Sequence, residues 1–222
     1  LQQQGQYQGF GFATEFDDLE RLWVRFVYAD SPAEQAGLAR GDRILAVDGE
    51  SIAELIDELS TAGLFDAEHV LLTVATPDGS EQDLAMTQAA VSINTVLHAE
   101  VLEHNGQDVG YLVFQRFLTT GLVEIRQAFN DFADTGIHEL VLDLRYNGGG
   151  ALSVAAELGG AIGGDLVQDQ VFAQVRHNDR HQDWDWDRQF VQTTPSLDLQ
   201  KVYVLTSPQT ASASEVLINA LK

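Results

Sequence analysis

Short apolar runs separated by turn residues occupy the first part of the chain, a pattern typical of a small β-rich domain. The runs that predict strands are residues 22–27, 43–47, 70–75 and 84–86, and a helical pattern covers residues 52–59. Between the first two runs, Ser31 suits a helix cap, Pro32 suits the first helical position and Gly37 suits the end of a short helix. We therefore predict a folded unit over residues 9–87, preceded by a loose, glutamine-rich lead-in at residues 1–8.

The rest of the chain alternates strand-like and helix-like patterns, as α/β layers do. Strands are predicted at residues 109–114, 139–145 and 202–205, and helices at residues 151–162, at 216–221 and from Leu122 to a stop at Gly136. Residues 88–108 have a polar, weakly patterned sequence that predicts a connection with one possible strand at 96–102. Chemistry in such a layer lies at the carboxyl ends of the strands. We predict that residues 88–222 form an α/β core that carries any active site.

Composition narrows the class of function. The 222 residues are 45% hydrophobic and 21% charged, which is typical of a globular chain. The absence of cysteine excludes disulfides and a cysteine nucleophile. The formal charge of −22 argues against nucleic acid or anionic membranes as partners, and it fits either a solvated acidic surface or attraction of cationic substrates.

Targeting and membrane signals are missing from the printed sequence. No apolar run reaches the roughly 18 residues of a membrane span, so we predict none in this chain. The first residue is Leu1, and no charged segment followed by an apolar one precedes the folded unit. We expect any targeting segment to lie outside these residues.

Residues 206–215 form a small-residue, hydroxyl-rich stretch between a strand pattern and a helix pattern. Several hydrolases present a nucleophilic serine on such a strand–turn–helix corner. There the helix N-terminus offers unpaired N–H groups and partial positive charge to a developing oxyanion. An ordinary Ser/Thr-rich helix cap fits the same residues. The stretch alone leaves both interpretations open.

Three consecutive glycines, Gly148, Gly149 and Gly150, follow the strand predicted at 139–145. Glycines at a strand end let the backbone approach a ligand closely and point N–H groups at it. A phosphate cradle is one interpretation, but the P-loop lysine is absent and the Gly-x-Gly-x-x-Gly spacing is not met. The other is an oxyanion hole shared with a serine at a neighbouring strand end, the geometry that acyl transfer needs.

Three motifs carry a resemblance in the first unit: GFGF at 9–12, SPAEQAGL at 31–38 and GDRILAVDG at 41–49. As a set they resemble a PDZ domain of the bacterial, protease-associated kind. The resemblance implies that loop N–H groups bind the terminal carboxylate of a peptide, which adds as a strand to the sheet edge. The residues it assigns to carboxylate binding are Gly9, Phe10, Gly11 and Phe12. An ordinary β-turn with core aromatics explains the tetrapeptide taken alone.

The second unit carries a further resemblance, in its strand at 109–114, DLRYNGGG at 143–150 and TASASE at 210–215. Together they resemble the carboxyl-terminal processing, or tail-specific, proteases. These are serine peptidases with a crotonase-like α/β core and an embedded PDZ domain. The resemblance implies that Ser212 is the nucleophile and that the N–H of Ala213 is one oxyanion donor.

Other site residues follow from the same resemblance. The second oxyanion donor is a glycine of the triple-glycine turn, and we favour Gly149 over Gly148 and Gly150. Glu215 matches a residue whose mutation is expected to impair the enzyme, and its place in the first helical turn fits a capping group. The signature positions interpreted as scaffold of the turn are Asp143, Arg145 and Asn147.

The family's base is not found in the chain. The resemblance implies a neutral lysine, in a Gly-Lys turn downstream of the helix, that takes the serine proton. Only ten residues follow Ser212, and Lys222 is too close in sequence to match. We therefore expect the base beyond Lys222, and we expect the printed chain alone to hydrolyse little or nothing. Related tricorn-type enzymes use a histidine at a strand position that here holds residues 111–113, and this sequence has none there.

The histidines do not favour a metal or a second base. His177 and His181 have the spacing of metal ligands on a helix, but their surroundings predict loop or strand. The histidines expected to be structural or exposed are His69, His98, His104 and His138. We predict no metal and no organic cofactor.

These inferences predict a tail-specific serine endopeptidase that acts on unstructured polypeptides recognised by their C-terminal tails. The resemblance implies a location in the bacterial periplasm or cell envelope. A non-catalytic PDZ peptide-binding protein on a dead protease scaffold is the alternative, and a Gly-Lys turn beyond Lys222 would separate the two. A binder of apolar ligands on the same core, as in retinoid-binding relatives, is disfavoured by the intact serine motif.

Overall fold

A computed structural model describes residues 5–56, 63–199 and 201–222. The chain divides into two compact units, one ending at Ile93 and the other beginning at Asn94. A PDZ-like β-rich unit is followed by an α/β unit, which confirms the predicted fold class. Residues 1–4 of the predicted lead-in and 57–59 of the predicted helix lie outside the described residues. None of the helices in the described ranges has both the length and the apolar character needed to cross a membrane.

The first unit is built mainly of antiparallel strands. Its elements are β1 (Gln6–Gly9), β2 (Phe12–Phe16), β3 (Leu22–Val27), α1 (Pro32–Ala36), β4 (Arg43–Val47), β5 (Glu50–Ser51), α2 (Ile52–Ile56), β6 (His69–Ala75), β7 (Glu81–Thr87) and β8 (Ala89–Ser92). The main sheet has the order β2-β3-β4-β6-β7, with β5 beside β4, and β1 pairs with β8. Buried and more exposed residues alternate along β3 and β6, the period that buries one face of an antiparallel sheet.

Helix α1 begins and ends where the sequence predicts. The Glu34 N–H donates to the Ser31 hydroxyl at 3.2 Å, and Pro32 occupies the first helical position. Gly37 ends the helix in the left-handed region, with φ of 91°. Ser31, Pro32 and Gly37 therefore set the bounds of α1 in the structure, as the local sequence predicts.

Two predictions at the border of this unit are wrong. Residues 6–8, predicted as a loose lead-in, belong to β1, because Gln6–Gly9 pairs along its length with Ala89–Ser92. The predicted polar connection at 88–108 contains a strand that was not predicted, β8, which closes the first unit, whereas the strand predicted at 96–102 is confirmed as Val96–His104, which opens the sheet of the second. Backbone pairing holds these strands while many of their side chains face solvent, so their polar composition hides them.

The second unit is an α/β layer. Its elements are β9 (Val96–His104), β10 (Gln107–Phe114), α3 (Leu122–Thr135), β11 (Glu139–Asp143), α4 (Leu152–Gly163), β12 (Val171–Val175), β13 (Trp186–Gln189), β14 (Lys201–Leu205) and α5 (Ala213–Ala220). The sheet order is β14-β11-β10-β9; β10, β11 and β14 are parallel, and β9 is antiparallel. Strands β12 and β13 form a separate antiparallel pair. The sequence pattern missed this pair because the exposed positions mix apolar side chains, Val171 and Trp186, with polar ones, so no alternation marks a buried face.

The buried face of this sheet packs against α3, α4 and α5 in one core. Leu112 and Leu140 contribute fully buried side chains from the central strands. Phe129 and Phe132 fill the core from α3, as their helical spacing predicts. Gly136 ends α3 with φ of 74°. The core thus fixes where the strands end, and the loops that follow them carry the candidate site.

Candidate active site

Two loops leave the same edge of the parallel sheet. Strand β11 ends at Asp143 and β14 ends at Leu205, and these two residues are paired across the strands. One step further, the Leu144 N–H donates to the Leu205 carbonyl at 2.9 Å. The triple-glycine turn follows β11 and the serine loop follows β14, so strand pairing delivers both to one place.

Side-chain hydroxyls of the serine loop hold it against the turn. Ser207 Oγ donates to the Arg145 carbonyl at 2.5 Å, and Thr210 Oγ1 donates to the Leu144 carbonyl at 2.8 Å. The hydroxyl of Ser214, which is fully buried, donates to the Asn147 carbonyl at 3.0 Å. The family pattern has serine at the position of Thr210. Threonine keeps the hydroxyl that donates to the Leu144 carbonyl.

Ser212 stands exposed at the start of α5 in a strained backbone conformation. Its φ of 57° and ψ of −121° lie outside the regions that L-residues favour. The Glu215 carboxylate accepts the Ser212 N–H at 2.7 Å and so supports this conformation. Glu215 thus acts on the serine backbone, in agreement with a capping role.

The glycine turn contacts the serine directly. A Cβ placed on Gly149 would lie 2.7 Å from Ser212 Cβ and 3.0 Å from the Ala213 nitrogen. The φ of Gly149 is +105°, which also excludes most side chains. Ala213 is the first residue of α5, so its N–H has no partner within the helix. The structure therefore brings together Ser212, Ala213 and Gly149, the three groups that the sequence placed at one site.

The predicted donor role of Gly149 does not fit this conformation. The Gly149 N–H donates to Asn147 Oδ1 at 2.8 Å, and Asn147 Nδ2 donates to the Phe114 carbonyl at 3.0 Å. Gly149 instead allows the turn to approach Ser212 closely, because a Cβ at this position would collide with the serine. The neighbouring amides of Gly148 and Gly150 make no hydrogen bond within the described ranges, so they remain open to a substrate oxygen. Sequence alone cannot show which of three adjacent amides a side chain has taken.

A charged cluster supports the start of the turn. The Asp143 carboxylate, which is fully buried, accepts hydrogen bonds from Tyr111 Oη at 2.9 Å and from the Arg145 guanidinium at 2.6 Å. Burial alone would raise the pKa of Asp143, but the hydrogen bonds from Arg145 and Tyr111 outweigh it and hold this pKa below its usual range. Burial and the Asp143 charge raise the pKa of Tyr111. Asp143 therefore stays ionised as scaffold, as the sequence reasoning assigned it.

Neither lysine of the described chain pairs with the serine loop. The two lysines of the sequence are Lys201 and Lys222. Lys201 begins β14 and pairs with Glu139 at 3.2 Å, at the opposite end of the strand from the serine loop. Lys222 follows α5 and donates to Asn219 at 3.1 Å, a full helix length from Ser212.

The histidines occupy other positions. His177 and His181 lie between β12 and β13 and contact Trp184, with ring centroids 5.8 and 4.2 Å apart. Across the described residues, no group of three or more His, Asp or Glu side chains is placed to hold a metal ion. His177 and His181 lie outside any α-helix, in agreement with the loop or strand that their surroundings predict.

A cleft of about 260 Å³ opens beside the glycine turn. Its lining residues are Gln115, Arg116, Tyr146, Gly148, Gly149 and Gly150. Sequence reasoning missed Gln115, the first residue after β10. The signal that could have found it is its position at the carboxyl end of a parallel strand, beside the turn that ends the next one.

The loop at residues 9–12, which was predicted to bind a peptide carboxylate, has glycines at positions where a side chain would not fit. Gly11 has φ of +90°, and a Cβ there would collide with Ser31. The loop lines a separate cavity of about 310 Å³. Tyr7, which the sequence reasoning missed, packs on Gly9: a Cβ on that glycine would lie 2.6 Å from the Tyr7 ring. Burial raises the pKa of Tyr7, and a hydrogen bond with the Gly11 backbone opposes that rise.

Comparison with known families supports both units. Residues 108–222 match the family described as peptidase family S41. Residues 23–76 match the family described as PDZ domain. The first match includes the glycine turn and the serine loop, and the second covers most of the β-rich unit but not the loop at 9–12.

Individual relatives extend over nearly the whole chain. The chain is 29% identical over 222 residues to a carboxyl-terminal-processing protease of Picosynechococcus sp., a match covering 98% of this chain and 51% of that protein. It is 26% identical over 231 residues to the carboxy-terminal processing protease CtpB of Bacillus subtilis, covering 97% of this chain and 44% of that protein. A crystal structure of a putative S41 protease from Bacteroides fragilis aligns with a TM-score of 0.75 at 27% identity, covering 97% of this chain and 61% of the other. The chain spans about half the length of the curated relatives it matches.

Proposed function

The chain belongs to peptidase family S41, and from that premise we propose that the protein is a serine endopeptidase of the tail-specific kind. The observation that carries the proposal is the contact of Gly149 with Ser212 and Ala213 at one edge of the sheet. A hydroxyl, a free helix amide and a glycine turn within reach of one carbonyl group are what acyl transfer requires.

The chemistry assigned to the site is nucleophilic. Ser212 Oγ attacks the carbonyl carbon of a peptide bond, and its proton passes to a neutral lysine amine expected beyond Lys222. The N–H of Ala213 and an amide of the turn, from Gly148 or Gly150, bind the oxyanion. When the C–N bond breaks, the protonated lysine gives its proton to the leaving amine. Water then attacks the acyl group, using the same lysine as base, and frees Ser212.

The PDZ unit supplies recognition in this proposal. Its loop at residues 9–12 binds the terminal carboxylate of an unstructured polypeptide, and the tail adds as a strand to the sheet edge. The substrates are accordingly chosen by their C-terminal tails. A crotonase-like core and a place in the bacterial periplasm or cell envelope complete the proposal, both supported by the family resemblance. Fractionation of cells by osmotic shock tests the location, and recovery only with cytoplasmic markers would contradict it.

The decisive experiment replaces the nucleophile in the full-length protein. Ser212→Ala should abolish cleavage of unfolded casein, measured by mass spectrometry of the products, while tail binding is kept. Ser92→Ala, at an exposed strand position of the other unit, is the matched control and should cleave at the parental rate. Cleavage by Ser212→Ala at the parental rate would refute the assignment.

A second candidate is a non-catalytic peptide-binding protein. Neither lysine of the printed sequence lies near Ser212 in the described structure. If the full-length protein binds carboxyl-terminal tails but does not cleave unfolded casein, with Ser212 intact, this candidate replaces the first.

A further inference from the structure

Gln115 carries a side-chain acceptor that no described residue of the chain satisfies. It is the first residue after β10, and its main-chain N–H is held by the Thr95 carbonyl at 2.7 Å. Its side-chain oxygen Oε1 is shielded from solvent, yet it has no hydrogen-bond partner among the described residues. Leaving a buried acceptor unpaired costs free energy, so an atom of this kind calls for an explanation.

A neighbouring carboxamide shows the contrast. Asn147 Oδ1 accepts the Gly149 N–H at 2.8 Å, and Asn147 Nδ2 donates to the Phe114 carbonyl at 3.0 Å. Asn147 is fully buried and is paired through both side-chain atoms. Asn147 therefore has a structural role that its hydrogen bonds account for, whereas the oxygen of Gln115 has none.

The place of Gln115 indicates what its partner is. Gln115 lines the cleft of about 260 Å³ together with the glycine turn. In the described chain the amides of Gly148 and Gly150, which line the same cleft, also make no hydrogen bond to protein. The unpaired donors and the side chain that carries the unpaired acceptor thus line one cleft at the carboxyl ends of β10 and β11. An extended polypeptide offers both complements, because each non-proline residue has a C=O acceptor and an N–H donor.

We propose that Gln115 is a substrate-binding residue whose Oε1 accepts a main-chain N–H of the polypeptide bound in this cleft. The inference rests on the proposed peptidase function, and it assigns Gln115 a contact that every non-proline substrate residue can make. Gln115 therefore fixes the register of the chain at the serine without selecting a side chain. Binding of substrate satisfies the acceptor that is unpaired in the free protein.

The first test separates binding from folding. In full-length protein carrying Ser212→Ala, Gln115→Met removes the carboxamide and keeps a similar shape. We expect affinity for fluorescein-labelled unfolded casein, measured by anisotropy, to fall about tenfold, the effect of one hydrogen bond. The urea midpoint should stay unchanged or rise, since no bond of the free protein is lost. Gln127→Met, at an exposed α3 position, is the matched control and should change neither quantity appreciably.

A structural role for Gln115 would give the opposite pattern. Affinity equal to that of the Ser212→Ala parent would overturn the proposal. If Gln115→Met fails to fold, Gln115→Leu is measured in the same way. Failure of both to fold would also overturn it, because a side chain with an unpaired oxygen should not be needed for folding. These binding measurements do not require cleavage. They therefore test the role of Gln115 even if the full-length protein does not cleave casein.

The second test locates the bond. A casein decapeptide that binds the Ser212→Ala protein is made with each amide in turn replaced by an ester, which removes one N–H and adds no bulk. At one position the ester should weaken binding to the Ser212→Ala protein about tenfold, with no further loss in the Gln115→Met version. Ester effects that are equal in the two proteins at every position would show that Gln115 contacts no substrate N–H.

Discussion

The Glu215 carboxylate accepts the main-chain N–H of Ser212 at 2.7 Å, so the first turn of α5 holds the residue that precedes it. The bond supports a serine backbone with φ of 57° and ψ of −121°. Such a conformation costs on the order of 1–3 kcal/mol in a non-glycine residue and persists only where the surroundings enforce it. The position of the hydroxyl therefore depends on a carboxylate three residues away.

Replacing Glu215 should impair the site more than the fold. In the full-length protein, Glu215→Ala removes the acceptor of the Ser212 N–H, and we expect kcat/KM on a peptide substrate to fall at least tenfold. Stability should fall by about 1 kcal/mol, as for other helix caps. Glu215→Gln keeps an acceptor at the same position and should retain most of the activity. Equal losses in the two variants, measured by steady-state kinetics, would show that the negative charge and not the hydrogen bond matters.

Gly149→Ala should abolish activity because the added methyl group would meet Ser212. The Cβ would lie 2.7 Å from Ser212 Cβ, closer than such atoms pack. Gly136→Ala is the matched control, since Gly136 also has positive φ but a Cβ added there would meet no atom within 4 Å. The control should lose about 1 kcal/mol of stability and keep its activity. Gly149→Ala with parental kcat/KM would mean that the turn and the serine separate during catalysis.

Asp143→Asn should destabilise the second unit in a pH-dependent way. The pKa of Asp143 is lowered in the folded protein, so its contribution is fully present above its unfolded pKa of about 3.9 and is lost as the pH falls through the folded value. At pH 7 we expect the free energy of unfolding of the variant to be about 2 kcal/mol lower than that of the parent. This loss is smaller than for a fully buried ion pair, because Arg145 is partly exposed.

The measurement for Asp143 is urea unfolding of the parent and variant from pH 7 downward. The difference between them should narrow below pH of about 4, where the parent carboxylate takes up a proton. Tyr111→Phe removes one donor to Asp143 and leaves Arg145 in place, so its loss should be about 1 kcal/mol. A constant difference across the pH range would show that the Asp143 charge contributes nothing.

Tail recognition should depend on the terminal charge of the peptide. A peptide that ends in a free carboxylate should bind more tightly than its amide, by about tenfold, because loop N–H groups bond more strongly to an anion. Gly11→Ala should remove that preference, since a Cβ there collides with Ser31. Gly79→Ala, where φ is +87° and no atom lies within 4 Å, is the control for backbone strain and should keep it. Calorimetry showing equal affinity for acid and amide would contradict carboxylate binding by this loop.

Local signals carried most of the fold. Apolar runs and their end residues predicted α1, the parallel strands and α3, and the structure confirms them because caps, glycines and helical stripes act over a few residues. Strands β1, β8, β12 and β13 were missed or misassigned. Their short sequences show no clear alternation, and the partners of the first pair, Gln6–Gly9 and Ala89–Ser92, are distant in sequence.

Some features of the candidate site were likewise predicted from the sequence and others were not. Ser212, Ala213 and the glycine turn were predicted together because each follows a predicted strand of the α/β layer, whose carboxyl ends carry the chemistry, and because the family resemblance assigns them to one site. The capture of the Gly149 amide by Asn147 and the unpaired oxygen of Gln115 depend on side-chain positions within a few ångströms. No spacing rule reports such distances, so these features required coordinates.

The hydroxyls of Ser207, Thr210 and Ser214 all donate to main-chain carbonyls across the junction. Every amino acid offers that acceptor, so these three bonds place no demand on the side chains at positions 144, 145 and 147. The evolutionary constraint from these bonds therefore falls only on the residues that donate, which must carry a hydroxyl and can be either serine or threonine. Substitutions at positions 144, 145 and 147 would keep these three acceptors, whereas the side chains of Arg145 and Asn147 are retained for their own bonds to Asp143 and Gly149.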